Sequence, residues 1–324
     1  MLTAPLAASA IGVGFASQIL LRPSAVSQQG DVLDALMAPA PERKTTAEPP
    51  LPSQKGPTPA AGFDPGTLQA RRIGSVSSGA PIPEAKEGNG VNLEIRVALL
   101  KVSPHPSVGG DSGWRVLSRE GQLLRQGESR EVLAGDLLGS MAEVWIEPAQ
   151  GGGLRVDGRP YGGRLRLLKA SSGVQVVNHL PLESYVSSVV GGEMPTSWRL
   201  EALRAQAVAA RSYAMAHMAR PANDHWHLGD TTRWQNYEGL QTVSEPTLQA
   251  TNSTAGVILS YQGGIVESLY AATQQIVDEA HSHLGASMSQ TGAQELAQRG
   301  LRFNEILSHY YQGASLARLQ VGAS

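Results

Sequence analysis

Gly191-Gly192-Glu193-Met194-Pro195-Thr196-Ser197-Trp198, continued by Arg199-Leu200-Glu201-Ala202-Leu203-Arg204-Ala205-Gln206-Ala207-Val208-Ala209-Ala210-Arg211-Ser212-Tyr213-Ala214, is the stretch from which the fold is read. Thr196 or Ser197 suits a helix N-cap, Glu201 falls near the positive end of the helix, and Pro221 forbids continuation. A helix from about Trp198 to about Ala219 is expected. At about 100° per residue, Glu201, Arg204, Val208 and Arg211 share one arc, and Leu203, Ala207, Ala210 and Ala214 another. Few positions remain for water, and small side chains let neighbouring backbone come close, so this helix is predicted to be central. Glu193 sits among Met194, Pro195 and Trp198. That apolar company raises a carboxyl pKa while a helix N-terminus lowers it, and the sequence leaves the balance open.

Outward from this helix, the preceding text is strand-like. Leu93, Ile95, Val97 and Leu99 alternate with Glu94, Arg96 and Ala98, the pattern of a half-buried strand. Further strands are expected at Trp114 to Leu117, Glu143 to Ile146, Leu154 to Val156, Arg164 to Leu168 and Val174 to Asn178, separated by glycine-rich turns. Leu180 to Val186 reads as the start of a short helix leading to Glu193. After the central helix, Pro246 to Ala255 predicts a helix, and Val257 to Tyr261 pairs with Ile265 to Tyr270 across the turn Gln262-Gly263-Gly264. Ser289 caps a helix to Arg299 with Gly300 as its stop, Phe303 to Tyr311 forms another ending at Gly313, and Leu316 to Val321 closes as a strand. The fold class is therefore α+β, a β-rich N-terminal lobe packed around a central alanine-rich helix.

The 324 residues, 41% hydrophobic, suffice for one large domain with a tail. A formal net charge of −2 supplies no basic field and argues against nucleic acid as a partner. The absence of cysteine excludes disulfides, thiolate zinc sites and a cysteine nucleophile. Leu6 to Leu21 is an uncharged apolar run, rich in Ala, Gly and Ser, that reads better as a secretory signal than as a membrane span. Ala25 and Ser27 have the spacing for cleavage before Gln28, although no Lys or Arg precedes the apolar core. Residues 1–27 are thus expected to be a signal peptide or N-terminal anchor, giving export to the periplasm or cell wall. Residues 28–90, with repeated Pro-x-Pro text, read as a disordered proline-rich linker, and 91–324 as the folded domain.

The run Gly192 to Trp198 followed by Glu201 to Ala214 resembles the signature of the stage II sporulation protein D / amidase-enhancer (LytB) domain family. Leu180-Pro181-Leu182-Glu183-Ser184-Tyr185 ahead of it, and Ser287-Met288-Ser289-Gln290-Thr291-Gly292-Ala293 after it, are similar to further family motifs. Characterised sporulation members are peptidoglycan lytic transglycosylases whose acid is the Glu before Met-Pro, so the resemblance implies Glu193 as the catalytic residue. It also implies substrate contacts from Arg211, Gln206, Gln235, Tyr237, Ser289 and Gln290, and glycan strands as the partner. Longer members carry a substantial insert where this chain has only Gln274 to Ala286, and His283 misses the family histidine by one position.

A lytic transglycosylase needs a single carboxylate, whereas glycoside hydrolases generally need two. Asp230 and Glu238 are the candidates for a second one. His225-Trp226-His227 to Gly239 mixes polar and aromatic residues as a sugar-binding wall does, or as a loop whose Trp and Tyr plug the core. Arg204 and Arg211 are expected to pair with carboxylates on their own helix, such as Glu201. His225, His227, His281 and His283 form two His-x-His pairs, too weak a pattern to assign metal, and no cofactor is expected. The alternative function is a non-catalytic glycan-binding module that recruits or enhances a cell-wall amidase, a reading that the shortened segment after Thr273 favours. A third is wall anchoring, in which Glu193 is dispensable.

Overall fold

The alternation from Leu93 to Leu99 becomes strand β1 (Glu94–Ala98), which buries Ile95 and Val97 completely. The structure, a computed structural model, describes residues 82–85, 91–281 and 286–319. The expected signal segment and most of the expected linker lie outside the described residues. Residues 82–85 lie against the domain: Ile82 is buried, its N–H donates to Ser308 Oγ at 2.8 Å, and its carbonyl accepts from Asn304 Nδ2 at 2.9 Å.

Nine more strands precede the first described helix. They are β2 (Val108–Gly110), β3 (Trp114–Leu117), β4 (Leu123–Gly127), β5 (Val132–Leu133), β6 (Glu143–Pro148), β7 (Leu154–Val156), β8 (Arg159–Tyr161), β9 (Arg164–Ala170) and β10 (Gly173–Pro181). With β11 (Leu228–Gly229), the larger sheet runs β11-β1-β10-β9-β6-β3-β4; the pairs are antiparallel except β1 with β11. A smaller sheet, β5-β2-β7-β8, stands beside it. The two-residue side-chain period sends Ile95, Val97, Leu165, Leu167, Val144 and Ile146 into the core. The opposite face carries Glu94, Arg164, Glu147 and Arg115 in a chain of ion pairs at 3.3, 3.9 and 3.5 Å, with Arg164 stacked 4.4 Å above the Trp145 ring.

Helix α1 (Leu182–Glu193) follows β10 directly, because Pro181 supplies a fixed φ and has no N–H to leave unpaired at a helix start. It is longer than expected, and Glu193 is its last residue. Helix α2 (Leu200–Ala219) is the predicted central helix, begun two residues late. Thr196 and Ser197 do not cap it: they lie in a turn closed by Trp198 N–H to the Pro195 carbonyl at 3.0 Å, and Arg199 occupies the cap position without a side-chain bond. Every residue from Ala205 to Ala216 is buried.

Around α2 gather α1, α3 (Glu245–Ser253), α5 (Gln290–Gln298), α6 (Phe303–Tyr310) and strand β12 (Val257–Tyr261). Strand β12 lies between β13 (Gly264–Ile265) and β16 (Ser315–Arg318). The strand expected to run unbroken from Ile265 to Tyr270 divides at Val266 to Ser268, where Ser268 Oγ bonds the Ala209 carbonyl of α2 at 2.7 Å. Its second half, β14 (Leu269–Ala271), pairs in parallel with β15 (Ser287–Ser289), with helix α4 (Gln274–Ala280) in the short connection. Ser289 caps α5 as expected, accepting from Gly292 N–H at 3.1 Å. Mixed helices and sheets accord with the α+β class. Among the described residues no helix is long and apolar enough to cross a membrane.

Candidate active site

Glu193 ends α1, so the nearest helix terminus presents carbonyl oxygens and disfavours negative charge there. This differs from the positive helix end considered from the sequence. Two donors oppose it. The backbone N–H of Asn236 donates to Glu193 Oε1 at 2.8 Å, and Gln290 Nε2 to Oε2 at 3.3 Å. Burial nevertheless dominates and raises the Glu193 carboxyl above the ordinary carboxylate range, against those two bonds and the charge of Lys101. The residue is half-buried and keeps some contact with solvent. A carboxyl so held is suited to give and retake a proton.

The glycines before it have a steric role. A Cβ on Gly192 would collide with the Asn236 carbonyl oxygen, and one on Gly191 with that of Thr242. The loop can therefore lie on the end of α1 only because both side chains are absent. Asn236 reinforces the approach by donating Nδ2 to the Gly192 carbonyl at 2.9 Å. Gly192→Ala is expected to push Asn236 off the carboxylate and to lower stability by about 1–3 kcal/mol. Urea unfolding and turnover assays of the variant check the two effects.

Behind Glu193 lies a wall of phenols. Tyr185 OH donates to Gln235 Oε1 at 2.8 Å, while Gln235 Nε2 donates to the Ala210 carbonyl at 3.1 Å and to Tyr270 OH at 2.8 Å. Burial raises the pKa of Tyr185, Tyr213 and Tyr270, and the negative charge of Glu193 adds to the rise in all three. They stay protonated and place no further charge beside the carboxyl.

The expected substrate contacts divide sharply. Gln290 reaches Glu193. Gln235 and Tyr237 are buried, the first in the phenol network and the second donating its OH to Asn178 Oδ1 at 2.6 Å inside the sheet core. Their part of the loop therefore plugs the core. Ser289 is fully buried as the cap of α5. Gln206 is fully buried within α2, and Arg211 is fully buried against Glu183 of α1, at 2.8 and 2.6 Å, instead of a carboxylate on its own helix. These side chains hold the scaffold; none but Gln290 touches Glu193. Arg204 does pair with Glu201, at 2.9 Å.

The alternative carboxylates are also engaged. Asp230 is 1% exposed, accepts from Leu100 N–H at 2.9 Å, and is raised in pKa chiefly by burial. Glu238 pairs with Lys101 at 2.7 Å and Arg159 at 3.7 Å. Among the described residues no group of three or more His, Asp or Glu side chains is placed to hold a metal. His227 is buried beside Arg96, and burial pulls its pKa down to about 3. His281 Nδ1 lies 2.8 Å from Ser287 Oγ, and His283 is outside the described residues. Sequence reasoning missed Asn236 and Lys101. The first stood in the quoted aromatic loop but donates through its backbone, which no side-chain pattern marks.

Residues 170–261 match the family model described as Stage II sporulation protein. An uncharacterized protein of Brachyspira hyodysenteriae is 36% identical over 121 residues, 37% of this chain and 33% of that one. The amidase enhancer of Bacillus subtilis is 34% identical over 102 residues, 32% of this chain and 14% of that protein. Stage II sporulation protein D of the same species is 33% identical over 114 residues, 31% of this chain and 33% of its own. The match thus spans a third or less of the length of these relatives.

Proposed function

We propose that this chain, whose residues 170–261 match the Stage II sporulation protein family, is a peptidoglycan lytic transglycosylase acting through Glu193. The observation that carries the reading is one half-buried carboxyl, raised by burial above the ordinary carboxylate range, with both oxygens held. In the proposed reaction, protonated Glu193 gives its proton to the oxygen linking N-acetylmuramic acid C1 to N-acetylglucosamine. The C1–O bond breaks and the glucosamine strand leaves with that proton. The carboxylate then takes the proton of the muramyl C6 hydroxyl, whose oxygen attacks C1 and closes a 1,6-anhydro ring. Burial of Asp230 and the pairing of Glu238 support this route over hydrolysis, since neither is a free base for water. We propose that this chemistry takes place in the periplasm or cell wall, in an exported protein whose first residues are a signal peptide or an N-terminal anchor.

A second reading is favoured by the relative named amidase enhancer: a module that binds glycan strands and stimulates a cell-wall amidase without cutting. Mass analysis of purified strands incubated with the protein separates the two. Anhydromuramyl ends support the transglycosylase; reducing ends make it a hydrolase. Intact strands, bound and accompanied by faster amidase turnover, support the module.

A further inference from the structure

The β-lobe before residue 170 lies outside the segment matched by the family, yet one of its side chains reaches the support of the carboxyl. Lys101 stands just beyond β1, and its Nζ donates to Asn236 Oδ1 at 2.8 Å and to Glu238 Oε1 at 2.7 Å. The amide of Asn236 is therefore gripped at both ends, oxygen toward the ammonium and nitrogen toward the Gly192 carbonyl. In that pose its backbone N–H lies 2.8 Å from Glu193 Oε1. The geometry points to Lys101 as a positioning residue for Glu193, locking Asn236 against the end of α1 and presenting a positive charge to the carboxyl from the β-lobe.

Two consequences are separable. The lock fixes where the carboxyl sits; the charge sets when it ionises. The charged and titratable groups within reach of Glu193 are Lys101, Tyr185, Tyr213 and Tyr270, and Lys101 itself faces Glu238 and Asp230. Lys101 is the cation among them, so it alone favours the carboxylate by charge. This role rests on the proposed chemistry of Glu193 for its use, but its geometry does not depend on it.

The test is a ¹³C-carboxyl NMR titration of the full chain labelled at glutamate, with the Glu193 resonance assigned by its loss in Glu193→Gln. In Lys101→Met the Glu193 midpoint is expected to rise by about one pH unit. Glu238→Gln leaves the lysine in place and removes its counter-charge, so the midpoint should fall. Opposite signs are the mark of positioning and charge; a lysine that merely clamps two lobes would give equal loss of stability in both variants with no movement of the midpoint, and that result overturns the inference. If Lys101→Met does not fold, the sign in Glu238→Gln still decides. With glycan strands, kcat in Lys101→Met should drop by about ten- to a hundredfold while KM stays within about twofold. A moved midpoint in a wild-type protein that never cleaves glycan keeps this inference and removes the transglycosylase; cleavage with an unmoved midpoint does the reverse.

Discussion

On the proposed chemistry, Glu193→Gln is expected to lower strand cleavage by about two to four orders of magnitude and to leave strand binding largely intact. The amide matches the carboxyl in size and still accepts the Asn236 N–H, but it has no proton to deliver to the leaving oxygen. The pH dependence follows from burial. Because burial raises the Glu193 carboxyl, the proton-donating form persists above the range of an ordinary glutamate, and cleavage falls only as pH rises through that raised value. Stability carries the same sign. The folded state holds this proton more tightly than the unfolded chain, so the contribution is complete below the unfolded pKa and is lost as pH rises through the folded one. Gln never ionises, so as pH rises above the ordinary glutamate range the melting temperature of the variant should gain on that of the parent. Product mass analysis and melting curves across pH measure both effects. Full activity in the variant would reject the assignment.

The largest effect on stability is expected from Glu183→Ala, at about 3–5 kcal/mol. Arg211 is wholly inside the protein, and its guanidinium is answered by the Glu183 carboxylate through two bonds and by the Val257 carbonyl at 3.0 Å. Removing the carboxylate strands a full charge where water does not reach. It also removes the acceptor of the Gly256 N–H at 3.0 Å. Arg211→Met should be milder, because the Glu183 side chain is 33% exposed and can turn to solvent. Urea unfolding of the two variants supplies the comparison; a more severe Arg211→Met would mean that the carbonyls stripped of the guanidinium outweigh the stranded charge.

The central helix, the strands at Trp114 and Leu154, and the Ser289 cap were legible because each depends on local text: an apolar period, a glycine stop or a hydroxyl in the right place. The two motifs quoted from the sequence around Glu193 and Gln290 are brought into contact by the fold. What escaped was set by distant partners. Arg211 was expected to pair along its own helix or to contact substrate, since nothing near it in sequence announces Glu183 of α1 as its counter-charge. Tyr237 and Gln235 share the loop with residues that do face outward, and only the packed fold tells a core plug from a sugar contact. The break before β14 arose because Ser268 bonds the α2 backbone, a tertiary demand that overrides an otherwise continuous strand pattern.

Helix α2 takes its wrapping from both sides of itself in the chain. Glu201 accepts the Phe303 N–H of α6 at 2.7 Å, Arg199 N–H donates to Gln294 of α5 at 2.9 Å, and α1 and β12 close the remaining sides. The segment 170–261 that the family model matches is consequently not expected to fold when excised, for without α5 and α6 the central helix would lie open along one flank. Amides from Ala205 to Ala216 should then exchange with solvent only when the whole domain unfolds, and a chain still lacking residues beyond 290 has no complete niche for them. Evolutionary likeness and cooperative folding draw different borders on this protein, and the border that matters to a ribosome lies nearer the end of the chain.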